Sequence, residues 1–187
     1  MSGHSDFTAR LTELVADYLA AAPRAEHLAL LRWQLAAGHD LSQRTTMPGH
    51  LTTSAIVLSP DNRQILLIDH VTIGRWLQPG GHYEADEHFW QSAAREAVEE
   101  TAVTGLVLHP WHAGADRPFV IDSHDVPGKP ARNEPPHIHH DLQYLFIADP
   151  ATPLVHQVEE VHAARWAPVG ELATISPKAF ARLMALA

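Results

Sequence analysis

The chain has 187 residues, 45% of them hydrophobic, and a formal net charge of −9. That length suits one domain with a full core, and the acidic balance argues against a general nucleic-acid or membrane surface, both of which favour basic patches. The absence of cysteine removes disulfides, thiolate metal sites and cysteine nucleophiles. No apolar run approaches a membrane span, and no basic segment followed by an apolar core opens the chain. A cytoplasmic location is therefore the expectation.

Residues 6–22 read as a helix, because Leu11, Leu14, Val15, Tyr18 and Leu19 recur at helical spacing. Pro23 can open a second helix from its first position, with Leu28, Leu31 and Leu35 on one face and Gly38 past its end. Residues 1–45 thus form an N-terminal helical extension ahead of a domain at 46–187. Capping the active site, a dimer contact and packing on the sheet all remain open as roles for that extension. Leu51–Leu58 and Gln64–Asp69 read as strands around the turn Ser59–Asn62, paired antiparallel. Leu106–His112 and Pro118–Asp122 are further strand candidates. Residues 123–136, rich in proline and polar side chains, read as a long loop, often a functional feature in a compact domain. His140–Ala148 is another strand, Arg165-Trp166 marks a short last one, and Ser176–Leu186 reads as terminal helix.

Between Gly81 and Val103 lies the stretch that carries chemistry. Glu96, Glu99 and Glu100 stand at i, i+3 and i+4, on one face of a predicted helix. Like charges that close destabilise a helix unless compensated, and a hard divalent cation such as magnesium is a natural compensation. Taken alone, the three glutamates fit a solvated acidic face better. The full stretch resembles the Nudix box: Gly, five residues, Glu, seven residues, Arg-Glu, an aliphatic residue, any residue, Glu-Glu, any residue, Gly, an aliphatic residue. Gly81, Glu87, Arg95, Glu96, Glu99, Glu100 and Val103 match, Ala97 fills the first aliphatic position, and Ala102 stands where the family has glycine. Glycine there supplies a left-handed cap, so Gly105 is expected to take the cap one turn later. Gly80 and Gly81 are expected to provide a tight turn before the helix.

The resemblance implies an α/β fold, the Nudix α/β/α sandwich with a mixed sheet, from about residue 50 to 175. It implies a metal-dependent hydrolase that cleaves a diphosphate bond in a nucleoside diphosphate linked to another moiety, or in a related organic diphosphate. Carried over residue by residue, Glu96, Glu99 and Glu100 are metal ligands for magnesium or manganese. Glu99 or Glu100 is the general base, and Glu87 and Arg95 support and orient the site. Some relatives place the base in a later loop, where Glu159 and Glu160 stand here. The implied partner is a small-molecule diphosphate substrate, with no nucleic acid and no membrane, and a homodimer fits because many relatives form one. A non-catalytic nucleotide-sensing domain on the same fold is the alternative reading.

The 15 histidines include a second constellation. His50 precedes the first strand, His82 follows the two glycines, and His137, His139 and Asp141 alternate, which on a strand places them on one face; Asp122 and His124 lie just before them. Histidine with carboxylate suits zinc, manganese or iron, so His50, His82, His139 and Asp141 are candidates for a second, transition-metal site facing the box helix. Surface histidines in a polar loop are the alternative. The placement is similar to the metal site of the isopentenyl diphosphate isomerases. That chemistry is not expected, because Gly80 stands where those enzymes carry a cysteine. Trp76, Trp111 and Phe119 are candidates to stack a base or sugar, and Arg75, Arg117, Lys129 and Arg132 to meet phosphates. Core packing and solvated surface are the respective alternatives.

Overall fold

The structure, a computed structural model, describes residues 2–22, 25–84, 87–128 and 134–186. Two helices open it, α1 (Ser2–Ala21) and α2 (Ala29–Ala36), the second entered through a 3-10 turn at Glu26–Leu28. The expected helix start at Pro23 lies outside the described residues. Leu11, Leu14, Val15 and Tyr18 of the first apolar stripe are buried, as are Leu28, Leu31 and Leu35 of the second. Among the described residues no helix is long and apolar enough to cross a membrane.

The sheet contains β1 (Gly49–Leu58), β2 (Gln64–His70), β3 (Arg75–Leu77), β4 (Gly80–His82), β5 (Val107–Leu108), β6 (Val120–Val126), β7 (His137–Ile147) and β8 (Val161–Pro168). It is mixed. β1 and β7 run parallel from Gly49↔Ile138 to Leu58↔Ile147, while β2 and β4 flank β1 antiparallel. β5 and β6 line the outer side of β7, and β8 lies along β2.

Alternation along the strands decides what meets what. Leu51, Ala55 and Val57 of β1, with Leu142, Tyr144 and Phe146 of β7, share one core with α1, α2 and α3 (Phe89–Thr101). Ile56, Leu58 and Leu145 face the other way and pack with α4 (Leu172–Ile175) and α5 (Pro177–Met184). Helices therefore cover both faces, as in an α/β/α sandwich. By the same alternation His50, Thr52 and Ser54 share the second face with His137, His139, Asp141 and Gln143, beyond its apolar part.

Several expected boundaries move. The strand at Leu106–His112 shrinks to β5 plus a 3-10 turn at Pro110–His112, because Pro110 offers no N–H to a ladder. The loop at 123–136 is shorter than expected, since Ser123–Val126 continue β6 in register with His140–His137. Polar composition hides such a strand, which forms through its partner's backbone rather than through apolar burial. β8 is eight residues long, and the short strands β3 and β4 carry too few residues for any periodicity.

Candidate active site

α3 is pinned at both ends. At its start the His88 N–H donates to Gln91 Oε1 at 2.8 Å. The Asp116 carboxylate accepts from the Phe89 N–H at 2.9 Å and the Trp90 N–H at 3.4 Å, capping the helix from a distant loop. At its end Ala102 itself adopts the left-handed conformation, φ 51° and ψ 25°, and donates to Val98 O. The expected transfer of the cap to Gly105 does not occur. The carbonyls of Glu100 and Thr101 are taken by the N–H groups of Gln157 and Val155, at 3.2 and 2.9 Å, so the last turn is satisfied from outside and the helix stops.

The three glutamates of this helix are not equivalent. The Glu96 side chain is 12% exposed and that of Glu99 52%, while Glu100 is buried. Glu100 Oε2 accepts from the Gly80 N–H at 3.0 Å. A Cβ on Gly81 would lie 2.5 Å from Glu96 Oε2, and one on Gly80 would lie 2.7 Å from the Thr53 carbonyl oxygen. This corrects the expected role of the glycines: both are extended in β4 rather than in a turn, and it is close approach that requires them. Arg95 bridges Glu84 at 3.7 Å, Glu96 at 3.1 Å and Glu99 at 3.0 Å. Burial pushes the Glu96 carboxyl up to about 7, partly offset by Arg95, and burial pushes Glu100 up to about 8 against the Gly80 hydrogen bond. Glu160, just ahead of β8, adds repulsion to both.

Arg95, Glu96, Glu99 and Glu100 are thus brought together, with Glu160 beside them. Glu87 is not. It is exposed and lies ahead of the helix, and its carbonyl takes a hydrogen bond from Arg10. Ahead of the helix, Glu84 is a described carboxylate that pairs with Arg95. Neither Glu84 nor Asp116 carries a local sequence signal, because only folding brings them to α3.

The histidine group forms with a changed membership. The His50 ring lies 5.1, 4.9 and 5.0 Å from those of His82, His137 and His139. Burial holds His50, His82 and His139 below the ordinary imidazole range. Asp141 does not complete this group. Its oxygens accept from Ser54 at 2.8 and 2.7 Å, Thr52 at 3.2 Å and Gln143 at 3.1 Å. Asp122 pairs with His124 at 3.5 Å and with Lys178. His82 follows Gly81 on β4, so it points away from the face that meets Glu96. The histidines therefore do not face the box helix; His140 does turn to the helical layer, where its Nε2 meets Gln34 Oε1 at 2.9 Å.

The aromatic candidates are occupied. Phe119 is fully buried. Arg117 and Arg182 cover Trp111 at 4.3 and 5.0 Å, and Arg165 covers Trp76 at 4.4 Å. Arg75 is exposed, and Lys129 and Arg132 lie outside the described residues.

Residues 48–185, which include the whole carboxylate helix and its glycine strand, match the NUDIX domain. The chain belongs to the NUDIX domain family. Phosphatase NudJ of Escherichia coli strain K12 is 33% identical over 78 residues, covering 38% of this chain and 50% of the relative. The NUDIX chain thus spans about half the length of the curated relatives it matches. An Ap4A hydrolase of C. elegans shares the fold at TM-score 0.52 and 16% identity, over 73% of this chain and 96% of that one. A NUDIX-family hydrolase from Clostridium perfringens does so at TM-score 0.52 and 20% identity, over 74% and 98%.

Proposed function

We propose that the protein is a metal-dependent pyrophosphohydrolase acting on a nucleoside diphosphate linked to another moiety, or a related organic diphosphate. The observation that carries this reading is the surplus of negative charge at α3. Glu96, Glu99, Glu100 and Glu160 converge on one site with Arg95 as the countercharge of the helix, and two of the carboxylates are desolvated. Such a set of hard oxygen donors fits magnesium or manganese. Glu96, Glu99 and Glu100 would hold the cation, which would supply charge neutralisation for a diphosphate and lower the pKa of water. The chain's own part is positioning. The Gly80 N–H holds Glu100, Gly81 admits Glu96 against the strand, and Arg95 orients Glu96 and Glu99. Glu99, Glu100 or Glu160 accepts the proton of the attacking water. The name Ap4A hydrolase of one structural neighbour makes dinucleotides a sensible part of any substrate panel.

The test is phosphate-containing product release from nucleotide sugars, nucleoside triphosphates and dinucleotides with magnesium or manganese. Glu99→Gln and Glu100→Gln are expected to lose at least about 100-fold in kcat. Full activity in both variants would overturn the assignment, and tight nucleotide binding without turnover would point to a sensor. Glu160→Gln separates the later-loop base from the helix: it lowers kcat with cation affinity unchanged if Glu160 accepts the proton.

A further inference from the structure

The second polar face of the sheet holds a group that hydrolysis at α3 does not use. His50 of β1 is paired in register with His139 of β7, and His137 lies two residues before it on the same face. One ligand atom from each of these three rings lies within 4.8 Å of the others. Their orientation is set from behind. His50 Nδ1 donates to the Thr46 carbonyl at 3.3 Å and His137 Nδ1 to the Pro135 carbonyl at 2.9 Å. A carbonyl only accepts, so each ring carries a proton on Nδ1 and turns Nε2 toward the cluster. Anchoring the far nitrogen on a backbone carbonyl is how a ligating imidazole is commonly oriented.

The presented nitrogens turn toward one another. His50 is 1% exposed, and its buried Nε2 has no hydrogen-bond partner among the described residues; the same holds for His82 Nε2. His137 Nε2 lies 3.1 Å from His139 Nε2. Two nitrogens on one four-coordinate zinc stand about 3.3 Å apart, given bonds of about 2.0–2.1 Å. Glu134, at 3.7 Å from His137 Nε2, brings a carboxylate to the same place. A buried ring nitrogen with no partner is costly, and His50 and His82 each leave one facing the cluster.

We propose that His50, His137 and His139 bind a divalent transition-metal ion of the zinc class through Nε2, with Glu134 supplying a carboxylate and His82 standing beside them. Imidazole donors select such ions over magnesium, which takes oxygen. The site is separate from the glutamates. Gly81 of β4 meets Glu96 on one face while the His82 ring belongs to the other. An ion here would clasp β1 to β7 at the ends where their apolar packing runs out.

The experiment uses the full chain, stripped with chelator and titrated with zinc, or with cobalt(II) read by its visible absorption. The parent takes up a single tight equivalent with a four-coordinate cobalt spectrum and melts at a higher temperature when loaded. Glu99→Gln keeps that equivalent, whereas His137→Ala and His139→Ala weaken it by more than about 100-fold. Glu134→Gln, a change that keeps the side chain's shape, weakens it about 10-fold and serves wherever an alanine variant fails to fold. The inference is overturned if the parent takes up no tight equivalent. It also fails if His137→Ala and Glu134→Gln bind as the parent does, or if Glu99→Gln abolishes binding, which would put the ion on α3. None of these results alters the magnesium-dependent hydrolysis proposed for the glutamates.

Discussion

Ala102 holds a left-handed backbone without glycine's freedom, at a cost of about 1–2 kcal/mol. Ala102→Gly is expected to stabilise the protein by about 1 kcal/mol and raise the melting midpoint by about 2–4 °C, with activity unchanged, as thermal denaturation would show. His112 gives a residue-scale expectation of the opposite kind. Its Nε2 accepts from the Leu145 N–H at 3.0 Å and its Nδ1 donates to the Arg117 carbonyl at 2.8 Å, so the buried ring is held neutral. Burial lowers its pKa from 6.5 to about 4. Between those values the unfolded chain binds the proton and the folded chain does not, so stability falls as pH drops through that window and is complete above it. Allowing for solvent screening, about 2 kcal/mol is at stake. Urea denaturation from pH 7 to pH 4 should therefore show a shallower pH slope for His112→Gln than for the parent, even though the variant starts less stable.

At the scale of elements, the carboxylate helix α3 depends on a residue outside it. Asp116 caps the Phe89 and Trp90 N–H groups, accepts from the Tyr144 hydroxyl at 3.1 Å and pairs with Arg10 at 3.6 Å. Asp116→Ala removes the cap and leaves the buried Tyr144 hydroxyl unsatisfied, an expected loss of about 2–4 kcal/mol. The urea midpoint reports it, and Asp116→Asn, which keeps an acceptor, should recover part of the loss. β4 is the other element on which the site turns. With three residues it is too short to be read from periodicity, yet its Gly81 admits Glu96 and its Gly80 N–H binds Glu100.

The whole molecule is organised by one sheet with a core on each face. The first core is shared by α1, α2, α3 and both central strands, and Gln34 of α2 donates to the Gly49 carbonyl at 2.9 Å while meeting His140. The N-terminal helices are therefore expected to melt with the sheet. Leu31→Ala, at a fully buried position, should cost about 2–5 kcal/mol and shift a single transition. Coincident far- and near-ultraviolet circular dichroism curves would show this. A separate early loss of helix signal would mean the extension folds on its own.

What the amino-acid order determined by itself was local. Glu96, Glu99 and Glu100 share a helix face because their spacing matches the helical period, and the apolar stripes of α1 and α2 follow from the same geometry. β1 and β2 were legible because they are continuous runs of apolar and β-branched side chains beside a clear turn. What only the tertiary structure decided was pairing between distant segments. Alignment of β1 with β7 set His50 beside His139 and made His137 the third member of the group, while Thr52 and Ser54 drew Asp141 away. Packing of β4 against α3 and β1 turned two glycines from a supposed turn into points of close approach. It also let residues 155–157 end the helix at Ala102 and brought Asp116 and Glu160 to its two ends. The difference is physical: helical faces are set by bonds within four residues, whereas strand partners are chosen by burial and pairing across the whole chain.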